Sequence, residues 1–474
     1  MRVSLLVSAS LIGALASPVL AQKAAPDPLA LVDARYDRTA AVARAVWDFA
    51  ELGYQENRSS ALLQSELAKE GFKVTKGVAG IPTAFVAEYG SGGPVIGILA
   101  EFDALPGVSQ DAVPVKQTDG KPAAHACGHN LFGSGSVTAA IALSQWLKAT
   151  GTPGTVRLYG TPAEEGGSGK VYMVRDGLFK DVDFAIHWHP DSINSAAAET
   201  TLANRSAKFR FKGKAAHAAG APAQGRSALD GVEAMNMMVN MMREHTTMDS
   251  RIHYVITKGG SAPNVVPEDA EVFYYVRHSQ TAEVEAMWKR LEDAARGAAL
   301  GTGTQVEWEI IHGNNPLLVN ETMAKVMDGK LRQIGGMQLS AQEKAFATEI
   351  GKTLAAPQPV ERAAVIEPYT KSLGYGSTDV GDVSWATPTV GLNTATWAPG
   401  TPAHSWQSAA ASGTTMGFKG AQLAAKAMTL MAVQLYTDPA LRKAARDEFD
   451  ASRGPNYVYR SLLGDRKPPL DFRK

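Results

Sequence analysis

The period of the apolar positions changes along the chain, and the changes divide it. Residues 94–100 (PVIGILA) are a short apolar run without alternation, the pattern of a buried parallel strand, and they end at Glu101-Phe102-Asp103-Ala104-Leu105-Pro106. Residues 154–159 predict a second strand, ending at Thr161-Pro162-Ala163-Glu164-Glu165-Gly166-Gly167. A third begins over 182–186 and runs into His187-Trp188-His189-Pro190. Between the first two, the apolar spacing over 130–148 predicts a helix. Three strand ends therefore each deliver acids or histidines. In open α/β sheets, sites lie beyond the carboxyl ends of the strands.

From 205 to 313 the rhythm differs. Residues 207–212 alternate as a strand, and 226–245 read as a helix with a Met-rich face (Met235, Met237, Met238, Met241, Met242). A strand at 252–257, a loop at 259–267, a strand at 271–277, a helix at 282–300 and a strand at 305–311 complete this stretch. The order β-α-β-β-α-β is that of a ferredoxin-like sandwich. The Met stripe reads as helix packing, part of it available for a subunit contact. After 313 the α/β character resumes. A helix is predicted over 321–334, a Gly- and Asp-rich turn leading to a short strand over 373–385, and a loop over 396–404. A long, buried helix rich in small residues is predicted over 408–436. The polar remainder reads as a peripheral tail. The smaller unit (205–313) is thus inserted into a larger one (22–204 and 314–437), with a tail at 438–474.

The amino end changes the picture of where the chain works. Met1 and Arg2 precede an apolar run to about Ala16, then Ser17-Pro18-Val19-Leu20-Ala21. A charged start, a short apolar run and small residues before the cut describe a secretory signal peptide over 1–21. The mature chain is expected in the periplasm or secreted. No later run reaches 18 apolar residues, so no membrane association is expected after cleavage. The 474 residues are 45% hydrophobic and 20% charged, enough for a packed core in two or three domains. Lys+Arg and Asp+Glu are 47 each, which argues against a nucleic-acid partner. The single cysteine, Cys127, cannot form a disulfide within the chain. Its neighbours His125, Gly128 and His129 favour a metal ligand over an inert core thiol.

The chemistry-bearing set is Cys127, His129, Glu164, Glu165, His187, His189 and His404. Borderline metals such as zinc accept thiolate, imidazole and carboxylate together. One glycine separates Cys127 from His129, which lets both side chains turn toward one ion. Adjacent Glu164 and Glu165 divide two roles: one ligand, and one base toward a water that the metal activates. A Gly-x-Ser-x-Gly elbow, a His-Glu-x-x-His helix, a Walker loop and a Gly-x-Gly-x-x-Gly fingerprint are all missing from the sequence.

His125-Ala126-Cys127-Gly128-His129-Asn130, Pro162-Ala163-Glu164-Glu165-Gly166-Gly167, Trp188-His189-Pro190, Gly213-Lys214-Ala215-Ala216-His217-Ala218 and Asn264-Val265-Val266-Pro267 resemble motifs of the M20 metallopeptidases. The match is nearest to the amidohydrolase branch of that family, subfamily D. With the segment 376–385 and His404-Ser405-Trp406-Gln407 it covers nearly the whole mature chain, in order. The resemblance implies an α/β fold: a mixed-sheet, metallo-exopeptidase-like catalytic domain with an inserted ferredoxin-like lid or dimerisation domain. It implies a hydrolase of the amide bond of N-acyl amino acids or small dipeptides, with divalent metal, two ions per subunit, zinc or manganese. It makes Cys127, His129, Glu165, His189 and His404 metal ligands, Cys127 bridging, and Glu164 the general base. His189, six residues after Asp183 and just before Pro190, fits the family spacing better than His187. Asp103 would orient a ligand. His217 would reach an active site, that of the partner in a homodimer formed through the inserted domain, and steady the oxyanion. Asn264 and Arg277 would bind the substrate carboxylate.

One departure is Glu101-Phe102-Asp103, where many M20 enzymes carry His-x-Asp; the first metal site is therefore not built in their usual way. An export signal points to scavenging of exogenous amides or dipeptides. The rival reading is an exported, metal-dependent small-molecule-binding protein that keeps the fold without turnover. Glu164 argues against it, because a binder needs no base beside a ligand.

Overall fold

The computed structural model describes residues 25–473; the expected export signal at 1–21 lies outside them. A six-stranded mixed sheet runs in the order Lys73–Lys76, Phe85–Ser91, Gly154–Gly160, Val95–Ala100, Phe184–Ile186, Thr389–Val390. The last four are mutually parallel, and the first two are antiparallel to their neighbours. Parallel strands need both faces covered, and Ile96, Ile98, Leu99 and Ala100 are fully buried. Helix His129–Thr150 lies against Val95–Ala100 and Gly154–Gly160 and packs along helix Thr415–Thr437. It approaches closely because of small residues: a Cβ on Gly133 would stand 2.8 Å from the Glu101 carbonyl oxygen.

The inserted unit is a four-stranded antiparallel sheet in the order Arg251–Lys258, Asp269–His278, Ala203–Lys212, Gln305–Asn314. Helices Ala228–Met242 and Thr281–Thr302 pack on it, which is the β-α-β-β-α-β arrangement. Its core is separate from that of the larger unit and includes Phe209, Phe211, Met235, Tyr274 and Trp288. Met235 and Met242 face that core, whereas Met237 and Met241 are each 62% exposed.

Three segments differ from the sequence expectations. The turn over 373–385 leads into a helix, Val380–Ala386, and the short strand comes later at Thr389–Val390. Val380, Val383 and Ser384 are buried at helical spacing, and buried Asp382 accepts from Asn315 N and Nδ2, both 2.8 Å. The long helix over 408–436 is two helices, Trp406–Ser412 and Thr415–Thr437. They break at Gly413, where a Cβ would meet the Trp47 ring at 2.7 Å. The polar stretch after 437 begins with helix Pro439–Arg453, and the residues beyond that helix are not peripheral. Leu462 and Leu463 are buried, Arg466 donates to Ile311 O (2.9 Å) and Glu309 Oε1 (2.7 Å), and the Phe472 ring meets Tyr54 edge-on at 5.6 Å. This segment straps the inserted sheet to the larger unit.

Candidate metal centre

The ends of three parallel strands and the start of one helix converge. Val95–Ala100 leads to Glu101 and Asp103, Gly154–Gly160 to Glu164 and Glu165, and Phe184–Ile186 to His187 and His189. Cys127 and His129 flank Gly128, which starts the helix at φ +76°. A Cβ there would lie 2.7 Å from Pro190, so the turn carrying two donors is pressed onto the strand end carrying a third. His404 arrives on the loop before Trp406–Ser412, fixed by its own N–H donating to Ala126 O at 2.9 Å.

Donor atoms gather in three groups, each with its atoms within 4.8 Å of one another: Cys127–His129–His189, Cys127–Glu165–His404 and Glu101–His129–Glu164. Cys127 belongs to the first two. Cys127 Sγ stands 3.5 Å from His189 Nε2, and His404 Nε2 stands 3.0 Å from Glu165 Oε1. His129 Nδ1 faces Asp103 Oδ1 at 2.9 Å, which leaves Nε2 for a ligand. Among the described residues that buried Nε2 has no hydrogen-bond partner of good geometry, although Glu101 Oε2 is 3.0 Å away. An orphaned imidazole nitrogen beside a buried thiol and a second imidazole suits a borderline divalent ion. Asp103 also accepts from Glu165 N at 2.9 Å, so one carboxylate orients two donors. His187 lines the same cavity but joins none of these groups among the described residues.

The electrostatics is that of a crowded anionic pocket. Burial, then Glu101 and Glu165, push the Glu164 carboxyl well above the usual carboxylate range. Burial also acts on Glu165, but the His404 hydrogen bond and His129 outweigh it and hold that carboxyl low. Burial pushes the Cys127 thiol up, a shift a bound cation would reverse. Burial opposes protonation of His129, yet Cys127, Asp103 and Glu101 together raise it well above its usual value.

Behind the site lies a network that sequence reading missed. Lys170, fully buried, contacts Glu101 Oε1 at 2.7 Å and Asp379 Oδ1 at 2.6 Å. The sequence carried no sign of it, because Lys170 and Asp379 are 209 residues apart.

The cavity over the donors has a volume of about 590 Å³, and Tyr275, Arg277 and His312 of the inserted unit line part of it. Of the anticipated site residues, Cys127, Glu164, Glu165, His189, His404 and Arg277 line it, and buried His129 and Asp103 lie just behind. His217 and Asn264 do not reach it within the chain: both are exposed on the inserted unit, where Val265 pairs with His217.

Residues 97–372 match peptidase family M20/M25/M40. The chain belongs to the M20 peptidase family. This M20 chain is 40% identical over 446 residues to a p-aminobenzoyl-glutamate hydrolase subunit of Escherichia coli, covering 88% of this chain and 93% of that one. It is 31% identical over 433 residues to a Xaa-Arg dipeptidase of Mus musculus, covering 88% and 90%. A solved dinuclear metal-binding M20 peptidase of Bacillus subtilis shares the fold with a TM-score of 0.59 at 18% identity, covering 85% and 99%. The two-unit architecture is that of M20 enzymes. The chain is a metal-dependent hydrolase of the amidohydrolase/peptidase kind.

Proposed function

We propose that this M20 hydrolase cleaves the amide bond of N-acyl amino acids or small dipeptides, with Glu164 as general base. The carrying observation is the pair of donor groups that share Cys127 and open, beside Glu164, onto a cavity of small-molecule size. Cys127, His129 and His189 would hold one ion, and Cys127, Glu165 and His404 a second, zinc or manganese. Ions held there would supply Lewis acidity toward the amide carbonyl and toward water. Glu164 takes the proton of the attacking water and passes it to the leaving nitrogen. Burial, Glu101 and Glu165 raise its proton affinity, and cations held beside it would offset that rise and leave the carboxylate free to accept the proton. Arg277, which lines the cavity with its guanidinium 5.5 Å from the Tyr275 ring centre, would bind the substrate carboxylate.

The working form in this reading is a homodimer. Met237 and Met241 are exposed on helix Ala228–Met242, and Val255 and Ile256 on the outermost strand Arg251–Lys258. An unpaired, partly apolar edge strand invites pairing with a copy of itself. Through such a dimer His217 and Asn264 would serve the neighbour's cavity. Export through residues 1–21 would place the enzyme among exogenous amides; support for this is the sequence alone. Among the described residues no helix is long and apolar enough to cross a membrane.

The test is amino-acid release from a panel of about twenty N-acyl amino acids and dipeptides, with and without a chelator, and metal analysis of the same sample. Release from members of the panel, lost on chelation and restored by zinc or manganese, is expected. Metal-replete protein that releases nothing would end the proposal.

A further inference from the structure

The segment after the last helix, strapped across both units, ends its described course in the cavity wall. Arg473 Nη2 donates to the Glu165 carbonyl oxygen at 2.8 Å, and the residue lines the same cavity as Arg277. It also lines a neighbouring cavity with Phe472 and Arg466, so the residue borders both. A single carbonyl contact uses one of five N–H donors.

Arg277 is equally underused. Its Nε is buried without a partner among the described residues, and burial, with no acid to offset it, lowers its proton affinity. Neither guanidinium forms an ion pair among the described residues, in contrast to Arg466, which pairs with Glu309 at 2.7 Å. The cavity's carboxylates outside the metal centre are Asp191 and Glu199. Asp191 accepts from Asn393 Nδ2 and from Ser192, and neither carboxylate pairs with Arg277 or Arg473. Among the described residues neither guanidinium has a counter-ion, and the buried head of Arg277 is costly to leave uncompensated unless an anion arrives with the substrate.

We propose that Arg473 is a specificity-determining residue that, from the wall of the cavity Arg277 also lines, selects substrates carrying a second carboxylate. This rests on the amide-hydrolase reading and on Arg277 taking the first carboxylate. The second carboxylate belongs either to the amino-acid side chain or to the acyl group, and the assay separates these.

The experiment compares kcat/KM for N-acetylglutamate and N-acetylglutamine, which differ only in side-chain charge, and for N-succinylglutamine and N-succinamoylglutamine, which differ only in acyl charge. The parent should prefer the dicarboxylate in at least one pair. In Arg473→Gln that preference should shrink by about 10–100-fold, the size of one charge-assisted contact, with the loss carried by KM. Arg473→Lys should restore part of it, since a point charge lacks the planar fork. A preference ratio equal in parent and Arg473→Gln overturns the proposal, whatever happens to kcat, because a mere prop for the Glu165 carbonyl predicts that result. Calorimetric binding of glutarate against glutaramate reads the same charge preference without turnover. If the parent hydrolyses none of the four but releases amino acid from other members of the panel, the amide-hydrolase reading stands and the Arg473 proposal falls; if it releases nothing from the whole panel, that reading fails and the binding ratio alone decides on Arg473.

Discussion

Glu164 and Glu165 are neighbours in sequence with opposite surroundings. Against burial, His404 and His129 hold the proton affinity of Glu165 low, whereas burial, Glu101 and Glu165 itself raise that of Glu164. Carboxyls driven apart in this way mark an acid/base division of labour. Glu164→Gln should keep the metal content and lose roughly 10²–10⁴-fold in kcat, since the amide cannot take a proton; turnover within a few-fold of the parent would remove Glu164 from the mechanism. Away from the site, Glu66 is a purely structural case. Arg38 first, and Lys69 as well, draw its carboxyl down from 4.5 to about 2. A lowered folded-state pKa stabilises the fold above the unfolded-state value and ceases to as pH falls through the folded-state value. Glu66→Gln should therefore cost roughly 1–3 kcal/mol at pH 7, and the gap in urea midpoint should close between pH 4.5 and about 2.

The strand-end turns are what convert a sheet into a site, and glycines set their shape. Gly128→Ala forces an alanine to φ +76° and drives its Cβ into Pro190. A loss of roughly 1–3 kcal/mol is expected, together with lower metal content, because the displaced turn carries Cys127 and His129. Gly151→Ala is the control: φ is +67°, but nothing lies within 4 Å, so the midpoint should fall while metal content holds. Equal metal loss in both variants would show that turn geometry at Gly128 is not what aligns the donors. These turns also show what the sequence could and could not reveal. Apolar runs such as 94–100, followed at once by acids or histidines, announced both the strands and the donors. The helix Val380–Ala386 hides in a Gly- and Asp-rich stretch that reads as a turn leading to a short strand, while its burial is settled by Asn315, which is remote in sequence. The Lys170 network and Arg473 escaped for the same reason: isolated cations in polar stretches acquire meaning only from distant partners.

As an assembly, the molecule leaves two anticipated functional residues stranded. His217 and Asn264 sit exposed on the inserted unit, away from the cavity of their own chain. If a second copy uses them, inactive His217→Ala mixed with inactive Glu164→Gln should regain activity after subunit exchange, because one site of each mixed dimer then carries neither lesion. Proven exchange without recovery would confine His217 to its own chain or to no role. The way the inserted unit is joined has a further consequence, for the order of folding. The chain enters it on Ala203–Lys212 and leaves on Gln305–Asn314, adjacent strands whose ends meet where Asn204 pairs with Asn314. The unit is thus a closed loop with its own core, and its widest pairing, Asn204 with Asn314, spans about half the chain that separates Ala185 from Thr389. The large sheet is completed only when Thr389–Val390 finds Ala185–Ile186 across that whole insertion. Contacts between remote stretches form slowly, and domains fold as units. The inserted unit should therefore gain amide protection first during refolding. By tying 203 to 314 it shortens the loop the large sheet has left to close, so the segment that reads as an interruption acts as a clasp for the domain it interrupts.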